Sequence, residues 1–476
     1  MLRFLNNPLI FLSLLTVFSL LIGGWMVGCQ DARLPPTEPN TEDSNSRPDP
    51  LKLLVIGEEH LGAVVARQWA ARRDGELTVV TQSIEDFIQS DFRLADAVDV
   101  VIFPPRLLGE FTSRDQLLTI PNRIWGSEEL NKDEILRLHR GTLVRHGEQN
   151  WAVPLGAPQL TMMFRSDDFD RDQVKALNNW DSLAGVIEKI GADQFDLPLA
   201  KGWAAHVLLA RSASLIRDRG KLSTVFERRT MQPLIDSAAF VLAFNDLKEL
   251  VAKSDHHFDL EPIDIFRRIM SGKSQLGITW PARSAFEDET PPETTPAIGF
   301  VNLPGSSQWY DPQEKTWIAR RKNEKGWVPY LGYGGLIGAV PRSSRNTSAA
   351  FGFLEWLASK PINLATVVES PESGPFRASH LGDPSAWTGT VISDAAARQF
   401  ADVISEVNDE DVVLIFPRVR GRERYLAVLD DAVRDGLMND QDGAEVLAKV
   451  AEKWEVLTEE IGRNLQLAEL RKDSGL

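Results

Sequence analysis

The sequence predicts an α/β fold, and three observations carry that reading. From Leu51 onward, short apolar runs such as "LKLLVIG", "ELTVVT" and "AVDVVIFP" are separated by stretches of helical period, among them "LGAVVARQWAARR" and one that opens at "IEDFIQSDF". Apolar runs of this length, alternating with helices, pack as strands of a largely parallel sheet. The strand ends carry Gly57-Glu58-Glu59-His60 and Phe103-Pro104-Pro105-Arg106, and the ligand-facing edge of such a sheet lies at the C-termini of its strands. Finally, Leu447, Val450, Trp454, Leu457 and Ile461 recur at spacings of three and four, the stripe of a helix lying on a core.

Between these regions the elements follow in order. Gly147 suits a hairpin turn, and Val153 to Phe164 reads as extended and mainly apolar chain, broken by Pro154 and Pro158. Helical patterns dominate to about residue 270, followed by the strand "SQLGITW". The strand-like "AIGFVNLPG" leads through a polar loop to "GYGGLIGAVP", and then to the helix "TSAAFGFLEWLASKP", which starts at Asn346 or Thr347 and stops before Pro361. At ~100 to 200 residues per domain, the body amounts to two or three domains, or two lobes that share the chain.

Composition narrows the partners. Lys plus Arg number 52 and Asp plus Glu 68, a formal charge of −16. Without basic clusters to displace counterions, a nucleic-acid partner is excluded as an expectation. A single cysteine, Cys29, allows neither an intramolecular disulfide nor a cysteine zinc site. It closes an apolar stretch, Leu9 to Val27, that follows Arg3 and is close to the ~20 residues a membrane span needs. Met26-Val27-Gly28-Cys29 resembles the bacterial lipobox, in which the thiolate is acylated and the chain is then cut beside a small residue. The competing reading makes Cys29 one more apolar residue of a signal anchor. Either way the body is expected outside the cytoplasm on a membrane tether. Residues 30–50, with five prolines and no aromatic residue, are expected to be a disordered spacer reaching up to roughly 60 Å.

Familiar catalytic and nucleotide motifs do not hold. "SGKS" at 271–274 resembles the end of a P-loop, but the motif's first glycine falls on Arg267, and a helix precedes it where a strand is needed. Gly272 is read instead as a helix C-cap. "GYGGLIG" at 332–338 lacks dinucleotide spacing and enters a strand, so its glycines let backbone come close to a ligand. "DHHF" at 255–258 is read as solvated loop histidines, with a metal site as the minor alternative. No G-x-S-x-G or H-E-x-x-H occurs. Tryptophan outnumbers tyrosine 13 to 4, and an indole face suits the C–H face of a sugar ring. Trp69, Trp356 and Trp454 fall within helices and Trp180 at a helix start, where packing explains them. Trp203 after Gly202, Trp280 at a strand end, and Tyr333 beside Gly334 remain as candidates.

The ordered pattern from about Leu51 to Leu465 resembles the bacterial extracellular solute-binding proteins of the maltose-binding type, receptors of carbohydrate ABC transporters. The pieces are "DVVIFPP" with "QLLTIP"; "HGEQNWAVPLGAPQLTMMFRSDDF"; "NNWDSLAGVIEKI"; "IFRRIMSGKSQLGITWPA"; and "YGGLIGAVPRSSRNTSAAFGFLEWLASK". The resemblance implies a two-lobe periplasmic-binding-protein (Venus-flytrap) fold with crossing hinge strands. Behind a signal peptide (1–28) and a tether (29–50), the N-lobe would comprise 51–155 plus 297–360 and the C-lobe 156–296 plus 361–476. Carried over to this chain, Trp203 and Trp280 would be aromatic platforms, Glu58, Glu59 and His60 a polar loop, and Tyr333 and Gly334 the strand entering the cleft. Phe103, Arg377 in "SGPFRAS" and Tyr425 complete the candidate set. Pro158 stands where maltose-binding members place a carboxylate, so the resemblance does not extend to malto-oligosaccharide specificity.

The expected protein is therefore a monomeric, lipid-anchored receptor on a bacterial membrane, facing the periplasm or the cell exterior. It would bind a small solute, a sugar or oligosaccharide, and hand it to an ABC permease. No cofactor, metal or catalysis is expected. Its rivals are the same fold with a non-sugar solute or a membrane sensor as partner, and a secreted lipoprotein enzyme. The lipobox reading is checked directly: Cys29→Ser should abolish both labelling by a radioactive fatty acid and cleavage of the leader, and normal acylation of that variant would refute it.

Overall fold

A computed structural model describes residues 50–72, 75–94, 98–216, 225–252, 254–286, 295–312, 314–322 and 324–475. The expected leader, Cys29 and the tether, up to residue 49, lie outside the described residues. No helix among the described residues is long and apolar enough to cross a membrane.

In chain order the principal strands are β1 (Leu51–Ile56), β2 (Leu77–Gln82), β3 (Val100–Phe103), β4 (Val153–Pro154), β5 (Thr161–Arg165), β6 (Phe195–Asp196), β7 (Leu276–Thr279), β8 (Ile298–Val301), β9 (Tyr330–Leu331), β10 (Ile337–Ala339) and β11 (Leu414–Ile415). They form two main sheets, ordered β2-β1-β3-β10-β4 and β8-β5-β7-β6, while β9 pairs with β11 alone. The expected alternation holds in the first sheet, where β1 is parallel to both β2 and β3 and only β10 runs against its neighbours. The helix Glu59–Arg72 crosses between β1 and β2 and buries Leu61, Val64, Val65 and Trp69 against the sheet. The second sheet is mixed, with β5 antiparallel to β7 and β8. Helices cover it: Pro262–Met270 packs on β7 and Asp394–Asn408 on β8. The helix Gly443–Ile461 lies on Arg422–Met438 and Ala238–Val251 and buries Leu447, Val450, Trp454 and Leu457 of the stripe.

Strand β8 hydrogen-bonds to β5 from Ile298 to Val301. The return to the first sheet therefore comes after β9, at residues 332–336, and not at the boundary of 297 that the resemblance implied. The C-terminal helix Arg463–Asp473 likewise touches the first-lobe helix Leu108–Ser113, and Asp473 pairs with Arg418, whose guanidinium also donates to Thr142 O and Leu143 O.

Three chain segments connect the two sheets: 155–160 between β4 and β5, 332–336 between β9 and β10, and 370–377. The last follows the helix Lys360–Glu369, which packs on Glu59–Arg72. Backbone hydrogen bonds tie the first two together, Leu155 N–H to Leu336 O at 2.9 Å and Leu336 N–H to Gly156 O at 2.8 Å. Ser373 Oγ donates to Leu155 O at 2.8 Å and brings in the third. The packing leaves no room for a β-carbon. At Gly335 (φ +94°) one would sit 2.4 Å from Ala157 Cβ, and at Gly374 2.3 Å from Ala157 O. Gly335→Ala combines a left-handed backbone with that clash, so it should destabilise the protein by about 2 kcal/mol or more in urea denaturation; a loss within ~0.5 kcal/mol would show that the crossing is loosely packed.

Candidate functional site

The three crossings converge on a group of aromatic rings contributed by distant parts of the chain. Trp203 ends the turn that starts the helix Ala204–Ala213, with its backbone N–H on Ala200 O. The buried Asp430 carboxylate fixes that turn by accepting from Gly202 N–H at 2.7 Å and Ala205 N–H at 3.0 Å, satisfying donors a helix start leaves open. Trp280 follows β7 and is 3% exposed, its indole N–H donating to Pro371 O at 3.1 Å. Tyr333 lies in the second crossing. Its hydroxyl donates to Pro158 O and accepts from Leu160 N–H, both at 2.6 Å. The ring centroids are 5.8 Å apart for Trp203–Trp280, 6.0 Å for Trp203–Tyr333 and 6.2 Å for Trp280–Tyr333. Tyr330 stacks on Tyr333 at 5.5 Å, and His206, one turn beyond Trp203, shares a hydrogen bond with the Tyr330 hydroxyl at 2.6 Å.

Charged groups surround these rings. Glu58, buried at the end of β1, accepts from His60 N–H at 3.0 Å and Ser370 Oγ–H at 2.9 Å. Glu423 pairs with Arg422 at 2.6 Å and lies 3.7 Å from Arg106. Burial opposes the Glu423 carboxylate, but these two guanidinium groups outweigh it and hold the pKa below the usual range. Glu372 is pushed up to about 7, first by burial and then by the Glu58 charge. Burial, reinforced by Arg106 and Arg422, holds the His206 imidazole well below its ordinary value, so it is neutral at pH 7.

The structure thus brings Trp203, Trp280, Tyr333 and Gly334 to one place, with Glu58 in electrostatic reach of Glu372 beside them. Glu59 and His60 are exposed on the first helical turn, and only Glu58 turns inward. Three candidates sit elsewhere. Phe103 is wholly buried against Phe111 at 4.4 Å, because the pleat of β3 points it into the first-lobe core. Arg377 is enclosed and bonded to Asn363, Leu130 O and Ala358 O, which makes it a tie between loops. Tyr425 is buried between helices, its ring edge-on to Trp454 and its hydroxyl on Thr458 at 2.8 Å. His206, Tyr330, Glu372 and Glu423 were missed by sequence reasoning, which places Arg106 at the ligand-facing strand end without its partner. His206 is one helical turn beyond a candidate tryptophan, a cue that was legible.

The histidines of "DHHF" are not solvated loop residues. His257 is buried and His256 partly so, and their nitrogens lie within 4.8 Å of the buried Asp196 carboxylate. Asp196 takes His256 Nε2 at 2.6 Å and Arg268 Nε at 2.8 Å, while His257 Nδ1 accepts Leu197 N–H at 3.2 Å. Both Asp196 oxygens and His257 Nδ1 are engaged in hydrogen bonds, and Arg268 already supplies positive charge beside the carboxylate. Ser254 hydrogen-bonds to the other nitrogen of His256, giving a Ser-His-Asp order. It follows the C-terminus of the helix Ala238–Val251, whose carbonyl end repels a developing oxyanion, so the order lacks the polarity of a hydrolase.

No family model and no curated protein matches the chain. Solved structures do. Maltose-bound T. maritima MalE3 superposes with a TM-score of 0.63 at 17% identity, over 86% of this chain and 99% of that one. An ABC transporter solute-binding protein from Agrobacterium radiobacter in complex with ribitol gives 0.64 at 15%, over 86% and 98%. The GacH receptor of Streptomyces glaucescens, solved unliganded and with acarbose, gives 0.60 at 14%, over 86% and 99%. The chain has the two-lobe fold of the MalE-type solute-binding proteins. In this MalE-type fold the aromatic rings and their charged neighbours lie where the two lobes meet.

Burial also holds His139, His146 and His257 to about 4 and His380 to about 3. Each such histidine stays neutral in the native state while the unfolded chain takes up a proton near its ordinary value. Its contribution is therefore complete above about pH 6.5 and is lost as pH falls. His206→Gln removes one such proton, so the slope of unfolding free energy against pH between about pH 6 and pH 5 should flatten by up to ~1.4 kcal/mol per pH unit. An unchanged slope in urea titrations would contradict a neutral, buried His206.

Proposed function

We propose that this protein is an extracytoplasmic receptor that captures a sugar or polyol between its lobes and delivers it to the permease of an ABC transporter. The observation that carries the reading is the aromatic group of Trp203, Trp280 and Tyr333 at the crossing of the hinge segments. Rigid indole and phenol faces supply large apolar contact at low entropic cost, while the Trp280 N–H and the Tyr333 O–H are already bonded to backbone. Polar groups for ring hydroxyls stand beside them in Glu58, Glu372 and Arg106. The three structural relatives described above are named with maltose, ribitol and acarbose, which is the chemistry such a surface suits. Membrane attachment through acylated Cys29 would keep the receptor near its permease.

The mechanism follows from the hinge. A solute changes the balance of open and closed forms only through a difference in its affinity for the two. Trp203 and Trp280 come from the second lobe and Glu58 from the first, so a ligand that touches both sides binds the closed form better. The permease then reads lobe closure.

A thermal-shift screen of the soluble body against sugars and polyols tests this. A ligand at ~100 times its dissociation constant stabilises by about 2.7 kcal/mol. Trp203→Ala removes a partly exposed platform that also packs on Trp280, Tyr333 and His206, so it should weaken binding of the hit by about tenfold and lower the unliganded melting temperature as well. A broad panel without a hit, alongside stabilisation by amino acids, would overturn the carbohydrate reading.

A further inference from the structure

One carboxyl group at this site is treated differently from the others. Glu423 has two arginines, and Glu58 has a hydroxyl and a backbone N–H. Among the described residues, no hydrogen bond or ion pair reaches Glu372. Its position is nevertheless central. It follows Pro371, whose carbonyl holds the Trp280 indole, and its Oε2 lies 3.3 Å from where a β-carbon on Gly334 would stand, next to Tyr333. The charged groups in reach are Glu58 after β1, Arg106 after β3 and Glu261 at the start of the helix Pro262–Met270, two acids against one base. Arg106 lies 3.7 Å from Glu423, and it offsets the acids around Glu372 only in part.

We propose that Glu372, with Glu58 behind it, is the specificity-determining end of the cleft and that the solute carries an amine there, as an aminated sugar or polyol. This rests on the reading of the cleft as a carbohydrate site. Aromatic faces attract a cation through the ring quadrupole, and a carboxylate gives it a charge-assisted hydrogen bond. Trp203, Trp280 and Tyr333 beside a carboxyl with no direct partner supply both. A neutral hydroxyl bonds to a carboxylic acid and to a carboxylate alike, whereas an ammonium group requires the carboxylate. Amine binding is therefore coupled to proton loss from Glu372, whose pKa stands at about 7, and a neutral sugar has no such coupling.

Two matched pairs test the inference by calorimetry on the soluble body: N-methylglucamine against sorbitol, and glucosamine against glucose, with spermidine as a non-sugar amine. The alkylamine of N-methylglucamine stays charged from pH 6 to 8, so its affinity should rise about tenfold over that range while that of sorbitol stays flat. Glu372→Gln, which keeps size and shape, should abolish both the preference for the amine and its pH dependence. The pH profile of the unmodified protein stands independently if that variant folds poorly. Neutral partners that bind as tightly as the amines, or an amine preference that survives Glu372→Gln, would overturn the inference and leave the sugar reading intact. Binding of spermidine with no carbohydrate would keep the amine and overturn the sugar reading; no binding by any of the five would overturn the inference.

Discussion

The structure depends on three chain segments passing one another within van der Waals distance at a single place. Residues 155–160, 332–336 and 370–377 are the principal connections between the two sheets, and they are held by backbone hydrogen bonds that glycine alone makes sterically possible. A β-carbon at Gly335 or Gly374 would overlap Ala157. Each sheet has its own covering helices, and this crossing sets which residues lie between the two sheets.

Tyr333 joins this crossing to the candidate site. Its hydroxyl bridges Pro158 O and Leu160 N–H across the first crossing while its ring lies against Trp203, Trp280 and Tyr330. Trp280 does the same for the third crossing through Pro371 O. On the proposed receptor reading, a ligand that displaced one of these rings would act on a hinge segment through these hydrogen bonds, and contacts of ~1 kcal/mol each would bias a movement of the lobes, since only the difference between two states has to be supplied.

Much of this was legible in the sequence, and the failures have identifiable causes. Strand and helix periods place the first sheet, and the glycines next to Trp203 and Tyr333 mark two of the three aromatic candidates that the fold unites. Phe103 fails because a strand end has two faces and a fully apolar run does not say which one is buried. Tyr425 and Arg377 fail because their partners, Trp454, Thr458, Asn363 and Leu130, are fixed by tertiary packing. The second sheet extends to β8 because the chain crosses back only at the glycine run after Tyr330, whereas the family resemblance implied a return at residue 297. His256 and His257 meet Asp196 sixty residues earlier in the chain, and no local pattern records a contact of that span.

Charge within the cleft is unevenly compensated, and this unevenness separates structure from recognition. A buried ion that serves packing is matched inside the protein, as Glu423 is by Arg422 and Arg106 and Asp196 by Arg268 and His256. Such groups gain nothing from a ligand, since their lone pairs are already used. Glu372 sits among the same elements, yet its nearest charges are mainly of its own sign, and burial drives its carboxyl toward the protonated form. If the proposed amine binds there, such a group would weaken the unliganded closed form slightly and strengthen the liganded one by more. The difference between those two effects is what the proposed receptor role would require if closure is to report that its cleft is filled.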